Sequence, residues 1–168
     1  MNTRKPILII LVLFALLLAA SPTAAGTIPT KTAVKGTDTF LYDIYSGDET
    51  ITPEGIYQIR DGISVGRWDT NDPRLTGEYT FTFNADFQFM PEPVFVSGYM
   101  WGTFKMETAG GYWEGTYSGT RDELGYSRFK FVATGKGGYS GLKLKMTYKR
   151  LDPDPSVPAL ISGAIIEP

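Results

Sequence analysis

The chain has no histidine and no cysteine in its 168 residues. Without them no Ser-His-Asp or Cys-His catalytic arrangement can be assembled, and no zinc site built from nitrogen and sulfur ligands. Any acid–base chemistry falls to Asp, Glu, Lys, Tyr or bound water. Disulfide staples are excluded too, and so is lipid attachment through a cysteine after the leader. Excess positive charge is missing as well: 16 basic residues stand against 18 acidic ones, a formal net charge of −2. Nucleic acid is therefore not an expected partner, because its binding rests on a basic surface. An Asn-x-Ser/Thr sequon is also lacking, so no N-glycosylation is expected. The last absence is periodic: no segment longer than a turn or two carries the apolar stripe of a helix.

What is present begins with Arg4 and Lys5, an apolar run over residues 7–20, and then Ser-Pro-Thr-Ala-Ala-Gly. This is the pattern of a secretory signal peptide cleaved after Ala25, with Thr23 three positions before the cut. The run is shorter than the roughly 20 residues a membrane span needs. The expected product is extracellular or periplasmic, with no membrane association after cleavage. Residues 1–25 are read as the signal peptide, 26–36 as a flexible Thr/Pro/Lys-rich leader, and 37–168 as one domain of ordinary size.

Within that domain the side chains alternate as strands require. In residues 135–148 (GKGGYSGLKLKMTY) three glycines bend the chain. Leu142, Leu144, Met146 and Tyr148 then face one way, and Lys143, Lys145, Thr147 and Lys149 the other. Gly110-Gly111-Tyr112-Trp113-Glu114-Gly115 echoes this turn 27 residues earlier. Residues 79–89 alternate Tyr79, Phe81, Phe83, Ala85, Phe87 and Phe89 with polar residues. Residues 94–107 are apolar on both faces, with Val94, Val96, Met100, Phe104 and Met106 against Phe95, Tyr99 and Trp101. Such a strand needs cover outside its own sheet, either a loop or a second subunit. Further strands are predicted at 37–45, 55–60, 63–69, 112–121, 126–136 and 159–167. An acidic turn is predicted at 46–52, and a hairpin turn at Asp61-Gly62. About nine short strands rich in glycine and aromatics predict an all-β fold. An antiparallel closed barrel is favoured over a β-sandwich because closure removes exposed edges.

The segments Gly137-Gly138-Tyr139-Ser140-Gly141-Leu142-Lys143-Leu144-Lys145-Met146 and Ile161-Ser162-Gly163-Ala164-Ile165-Ile166-Glu167-Pro168 resemble the glycine-rich and closing strands of the allene oxide cyclase-like barrels. That superfamily includes the dirigent proteins and uncharacterised bacterial barrels. The resemblance covers roughly the last sixty residues; the first half agrees only in pattern. It implies an eight-stranded antiparallel barrel around an apolar cavity, often in a trimer, which holds a reactive apolar intermediate in one conformation. Plant cyclases carry a glutamate on the first strand, and its nearest match here is Asp43 in Leu41-Tyr42-Asp43-Ile44-Tyr45. The family's Asn stands as Tyr45 and its Cys has no equivalent, which argues against the cyclase reaction itself.

The catalytic candidates are thus Asp43 and Glu114. Asp43 is read either as a cavity carboxylate whose pKa burial raises or as a solvent-facing residue, and alternation with Phe40, Tyr42 and Ile44 favours solvent. Glu114, beside Trp113, is read either as a mouth carboxylate or as a partner for a basic neighbour across the ladder, with Arg67, Arg74, Arg121 and Arg128 available. Tyr79, Phe81, Phe83, Phe129 and Phe131 are read as core or as the lining of a ligand cavity. Asp69, Asn71 and Asp72 begin like a calcium loop. Pro73 then displaces a ligand position and no glutamate closes the loop, so neither metal nor cofactor is expected. Asp72-Pro73-Arg74 reads instead as a turn capped by Asp72. Lys143, Lys145 and Lys149 form a solvated stripe, with an anionic glycan as the alternative reading. The functional expectation is a secreted barrel that binds a small apolar ligand. Its alternatives are a cyclase- or dirigent-like enzyme and a cell-surface interaction module.

Overall fold

The computed structural model describes residues 28–88, 97–154 and 156–168. The signal peptide, Pro91-Glu92-Pro93, Val94, Phe95 and Val96 lie outside the described residues, as does Phe89. Nine strands follow in order: β1 (Thr30–Tyr45), β2 (Asp48–Ile51), β3 (Ile56–Thr70), β4 (Gly77–Gln88), β5 (Ser97–Thr108), β6 (Gly111–Arg121), β7 (Ser127–Gly137), β8 (Lys143–Arg150) and β9 (Ala159–Glu167). A 3-10 turn, Pro73–Leu75, joins β3 to β4. Every pairing is antiparallel. The sheet runs β1-β9-β8-β7-β6-β5-β4-β3-β2, and a further pairing of β1 with β3 closes it. Eight strands therefore make a closed barrel, with β2 hydrogen-bonded to β3 outside it. Closure rules out the sandwich.

β7 and β8 show why these residues form a barrel wall. The burial of β7 alternates strictly, with Phe129, Phe131 and Ala133 inside and Arg128, Lys130 and Val132 outside. β8 does the same with Leu144, Met146 and Tyr148 inside and Lys143, Lys145 and Lys149 in solvent. The glycine-rich turn between them packs against the β5–β6 turn. A Cβ on Gly138 would sit 2.2 Å from the Gly110 carbonyl oxygen, so only glycine permits the approach. Tyr139 stacks on Trp113 with ring centroids 5.5 Å apart, and its hydroxyl lies 2.6 Å from Thr108 Oγ1. The echo between the two glycine motifs is thus a contact.

Three expectations change. The leader is strand from Thr30 onward, where residues 30–38 pair with β9 from Glu167 back to Ala159. Its polar composition hid this, since Val34 is its one fully buried apolar residue. The segments 55–60 and 63–69 are one strand, because Asp61 takes a positive φ of 55° inside a bulge and makes no hairpin. The acidic turn 46–52 contains β2, whose four residues are all exposed. The outer aromatics of β5 are not roofed by a loop among the described residues. Arg60 reaches over Trp101, 5.2 Å from the ring centroid, and Tyr99 stacks on Trp101 while staying 47% exposed.

The two ends of the barrel differ. At the end where β3 hands over to β4, Trp68, Leu75, Trp113, Met106, Leu144 and Ile165 fill the interior completely. The 3-10 turn is the plug. Asp72 caps it by accepting from Arg74 N at 3.0 Å, its carboxylate pairs with the Arg74 guanidinium at 2.8 Å, and Trp113 Nε1 donates to the Arg74 carbonyl at 2.8 Å. The expected cap at Asp72 is present. Truncation of inward Leu144 to alanine should cost about 2–5 kcal/mol. Lys145→Ala, one residue on and outside, should stay within about 0.5 kcal/mol. Urea denaturation of the two variants checks the assignment, and equal losses would reverse it.

Candidate functional site

The unplugged half of the barrel encloses a cavity of about 410 Å³. Its wall is Phe81, Phe83, Met100, Tyr117, Phe129 and Phe131, contributed by β4 to β7. Four of the five expected cavity aromatics are in this group, and the fifth, Tyr79, lines the deep end. The rings support one another: Tyr117 stacks on Phe131 at 5.1 Å and meets Phe129 edge-on at 5.7 Å.

The deep end is polar, and its key residue was not foreseen. Asp38, on β1, is 4% exposed. Its Oδ2 accepts from Tyr79 Oη at 2.6 Å and from Trp68 Nε1 at 2.9 Å. Gly66 leaves the space for the Tyr79 ring, whose nearest carbon would stand 2.6 Å from a Cβ there. Burial pushes the Asp38 carboxyl up from the ordinary 3.8 to about 6, against the lowering effects of Tyr79, Trp68 and the Arg150 charge. Tyr79 is driven well above the usual phenol range by burial and by Asp38, so it remains a donor.

Asp43 also reaches the cavity, at its rim, where its carboxylate accepts from Ser64 Oγ at 2.5 Å. Strict alternation misplaced it. The β1–β3 register shifts between Phe40 and Tyr42, and the extra residue turns Asp38, Phe40 and then Asp43 to the same interior. The buried carboxylate of this strand is therefore Asp38, while Asp43 is exposed at the mouth. Asp38 was legible in one respect: it lies two residues before Phe40, on the face that carries apolar side chains.

Glu114 leaves the candidate list. It is exposed on the outer wall opposite Lys105, whose ammonium pairs with Glu107 at 2.6 Å.

No family model, curated protein or solved structure matches this chain.

The chemistry of the site accordingly rests on its own residues. At the mouth, Arg121 ends β6, Ser127 begins β7 and Arg150 ends β8. Arg121 pairs in register with Ser127, and Ser127 with Arg150, so the three form one row across adjacent strands, and all three line the cavity. Arg150 is held by three bonds: Nε to Tyr148 Oη at 2.9 Å, and one terminal nitrogen to the Asp154 and Val157 carbonyls at 3.0 Å each. Burial, followed by the charge of Arg150, lowers the Arg121 pKa. Among the described residues there is no group of three or more acidic side chains able to hold a metal. The arrangement offers an apolar slot open at one end, a buried carboxylate with a pKa raised to about 6, and cations at the entrance.

The raised pKa of Asp38 has a definite sign. Between 3.8 and about 6 the folded protein holds a proton that the unfolded chain has released. Asp38 therefore favours the fold below 3.8, and that contribution is lost as pH rises through about 6. Asp38→Asn should gain about 2–3 kcal/mol relative to wild type between pH 4 and pH 7. Denaturation midpoints of both proteins at the two pH values measure this, and a pH-independent difference would refute it.

Proposed function

We propose that this protein is a secreted barrel that binds one small, predominantly apolar molecule in the open half of its interior. The observation that carries the reading is the cavity: about 410 Å³, enclosed by aromatic rings, with a few polar groups converging on it. Binding sites for small molecules have this size and this mixture. The opposite end is plugged, so the mouth beside Arg121 and Arg150 is the way in. Export is part of the proposal and rests on the leader of basic, apolar and small residues in the sequence. Self-association is part of it too, through the outer face of β5 with Tyr99 and Trp101.

A second reading is favoured by one specific observation, the pairing of Asp38 with Tyr79 at the deep end. A carboxyl near pKa 6, hydrogen-bonded to a protonated phenol, can deliver or accept a proton at a ligand atom placed beside it. That would make the barrel an enzyme of the isomerase or cyclase kind, in which the walls fix the conformation of a reactive intermediate. The binder reading does not require this step.

A panel of aliphatic and phenolic compounds should raise the unfolding temperature of the wild type, because a ligand that binds only the folded state stabilises it by mass action. Met100→Trp, which pushes an indole into the cavity, should abolish those shifts. Thermal unfolding with and without each compound is the measurement. A panel without any shift would reject the binder, and shifts that survive in Met100→Trp would place the ligand elsewhere.

A further inference from the structure

Charge is segregated around the outside of the barrel, although the chain as a whole is slightly acidic. Lys143, Lys145 and Lys149 point outward from β8 and Arg128 and Lys130 from β7, all of them exposed. Across β9, whose outward side chains are uncharged, β1 adds exposed Lys31 and Lys35. No carboxylate stands at an outward position of β7, β8, β9 or residues 30–38 of β1. Asp38 is turned inward to Trp68 and Tyr79, and Glu167 is paired with Arg74. In the loops at the mouth, Asp122, Asp152 and Asp154 accept from backbone N–H groups of their own loops. Exposed acidic side chains gather across the barrel instead, with Asp48 and Glu49 on β2, Asp61 on β3 and Glu78 on β4.

Register turns the basic wall into a lattice. Neighbouring strands lie about 4.8 Å apart and alternate residues of one strand about 7 Å apart. Arg128 stands directly opposite Lys149, a like-charge pair that weakens the ladder. Hydroxyls separate the other charges: Thr134 faces Lys143, and Thr147 lies between Lys130 and Ser162. An exposed ion pair contributes little by itself, so such a wall gains affinity from a partner that presents many negative groups at once.

We propose that the outer wall of β1, β9, β8 and β7 binds an acidic polysaccharide, whose carboxylate or sulfate groups lie on the lysines while its hydroxyls meet Thr134, Thr147 and Ser162. An ammonium on a long flexible stem suits an anion of no fixed orientation, whereas the planar fork that matches phosphate occurs here once, in Arg128. These outward positions hold no aromatic platform for stacking bases. Their half-exposed apolar residues, Val132 and Leu160, stand on strands separated by β8 and make no patch to enter a lipid surface. The wall is independent of the cavity ligand, since the same strands turn other side chains inward. It shares with the reading above only the export of the chain.

The test measures binding of the protein to polygalacturonate, dextran sulfate, uncharged dextran, polyphosphate and phosphatidylglycerol vesicles by calorimetry at pH 7.5. At least one charged polysaccharide should bind about tenfold or more tightly than dextran, and its affinity should fall steeply between about 50 mM and about 200 mM salt. The double variant Lys145→Gln, Lys149→Gln should weaken that binding about tenfold and reduce the salt slope by about two. Lys105→Gln, a change on the outer face of β5, should leave it unchanged. Failure of wild type to prefer either charged polysaccharide over dextran would overturn the proposal without any variant having to fold. Tighter binding of polyphosphate or of the vesicles would give the wall to a phosphate polymer or a lipid surface and overturn it too. So would salt-sensitive self-association without polymer binding, which would assign the wall to the acidic side of a second copy. An equal loss in Lys105→Gln would refute the location. Thermal shifts by apolar compounds should persist in the double variant, so the cavity reading stands or falls separately.

Discussion

Closure of the sheet at β1 is the constraint on which the rest of the structure depends. This strand pairs with β9 along residues 30–38 and with β3 along residues 36–45, and the two ladders overlap at Gly36, Thr37 and Asp38. A barrel seam has to be specified, because a slip by one residue exchanges inner and outer faces along the whole strand. Asp38 sits in that overlap. Its carboxylate meets the indole of Trp68, its direct partner across β3, and the hydroxyl of Tyr79 on β4. Apolar packing tolerates sliding, whereas a buried carboxylate with two donors has one good position. The cost is desolvation, visible in the raised pKa. The return is a fixed register at the one place where the sheet could have stayed open.

The same residue shows where the sequence was readable and where it was not. β4, β7 and β8 keep their period of two from end to end, so their inward and outward faces followed directly from the order of side chains. β1 and β3 break that period at bulges, after Phe40 and at Asp61, and bulges leave little trace in a single sequence. Alternation carried across the β1 bulge pointed to Asp43 instead of Asp38. The first turns of β1 were missed for a different reason. Polar residues on an outward face look the same whether the backbone is paired or free, and the pairing partner, β9, lies more than a hundred residues away. Arg121 was considered only as a partner for Glu114, because the row it forms with Ser127 and Arg150 exists only once β6, β7 and β8 are in register.

The division of the barrel into a filled and an open half follows from side-chain size and from the plug. Two tryptophans, Trp68 and Trp113, and Leu75 of the 3-10 turn occupy the end near Arg74, and each is fully buried. Further up, the inward positions are phenylalanine, tyrosine and methionine, with no tryptophan and no connecting turn folded inward among the described residues. The rings there lean against one another along the wall, as Tyr117 does on Phe131, and leave the axis open.

Energetics then bear on what fills that space. Mutational cavities cost about 24 cal/mol per Å³, so a dry hole of 410 Å³ would cost on the order of 10 kcal/mol. That equals the whole stability of an ordinary domain, about 5–15 kcal/mol. A chain under no other demand could remove the deficit with larger side chains at Met100 or Phe83, as it has done with tryptophan at the plugged end. The space is therefore solvated or occupied. Water satisfies the polar rim well, but it gains little against Phe81, Phe83, Phe129 and Phe131, because dry apolar walls offer it no hydrogen bonds. A molecule with an apolar body and one polar end suits both surfaces at once. The open half is consequently the part of the fold that barrel stability alone does not explain.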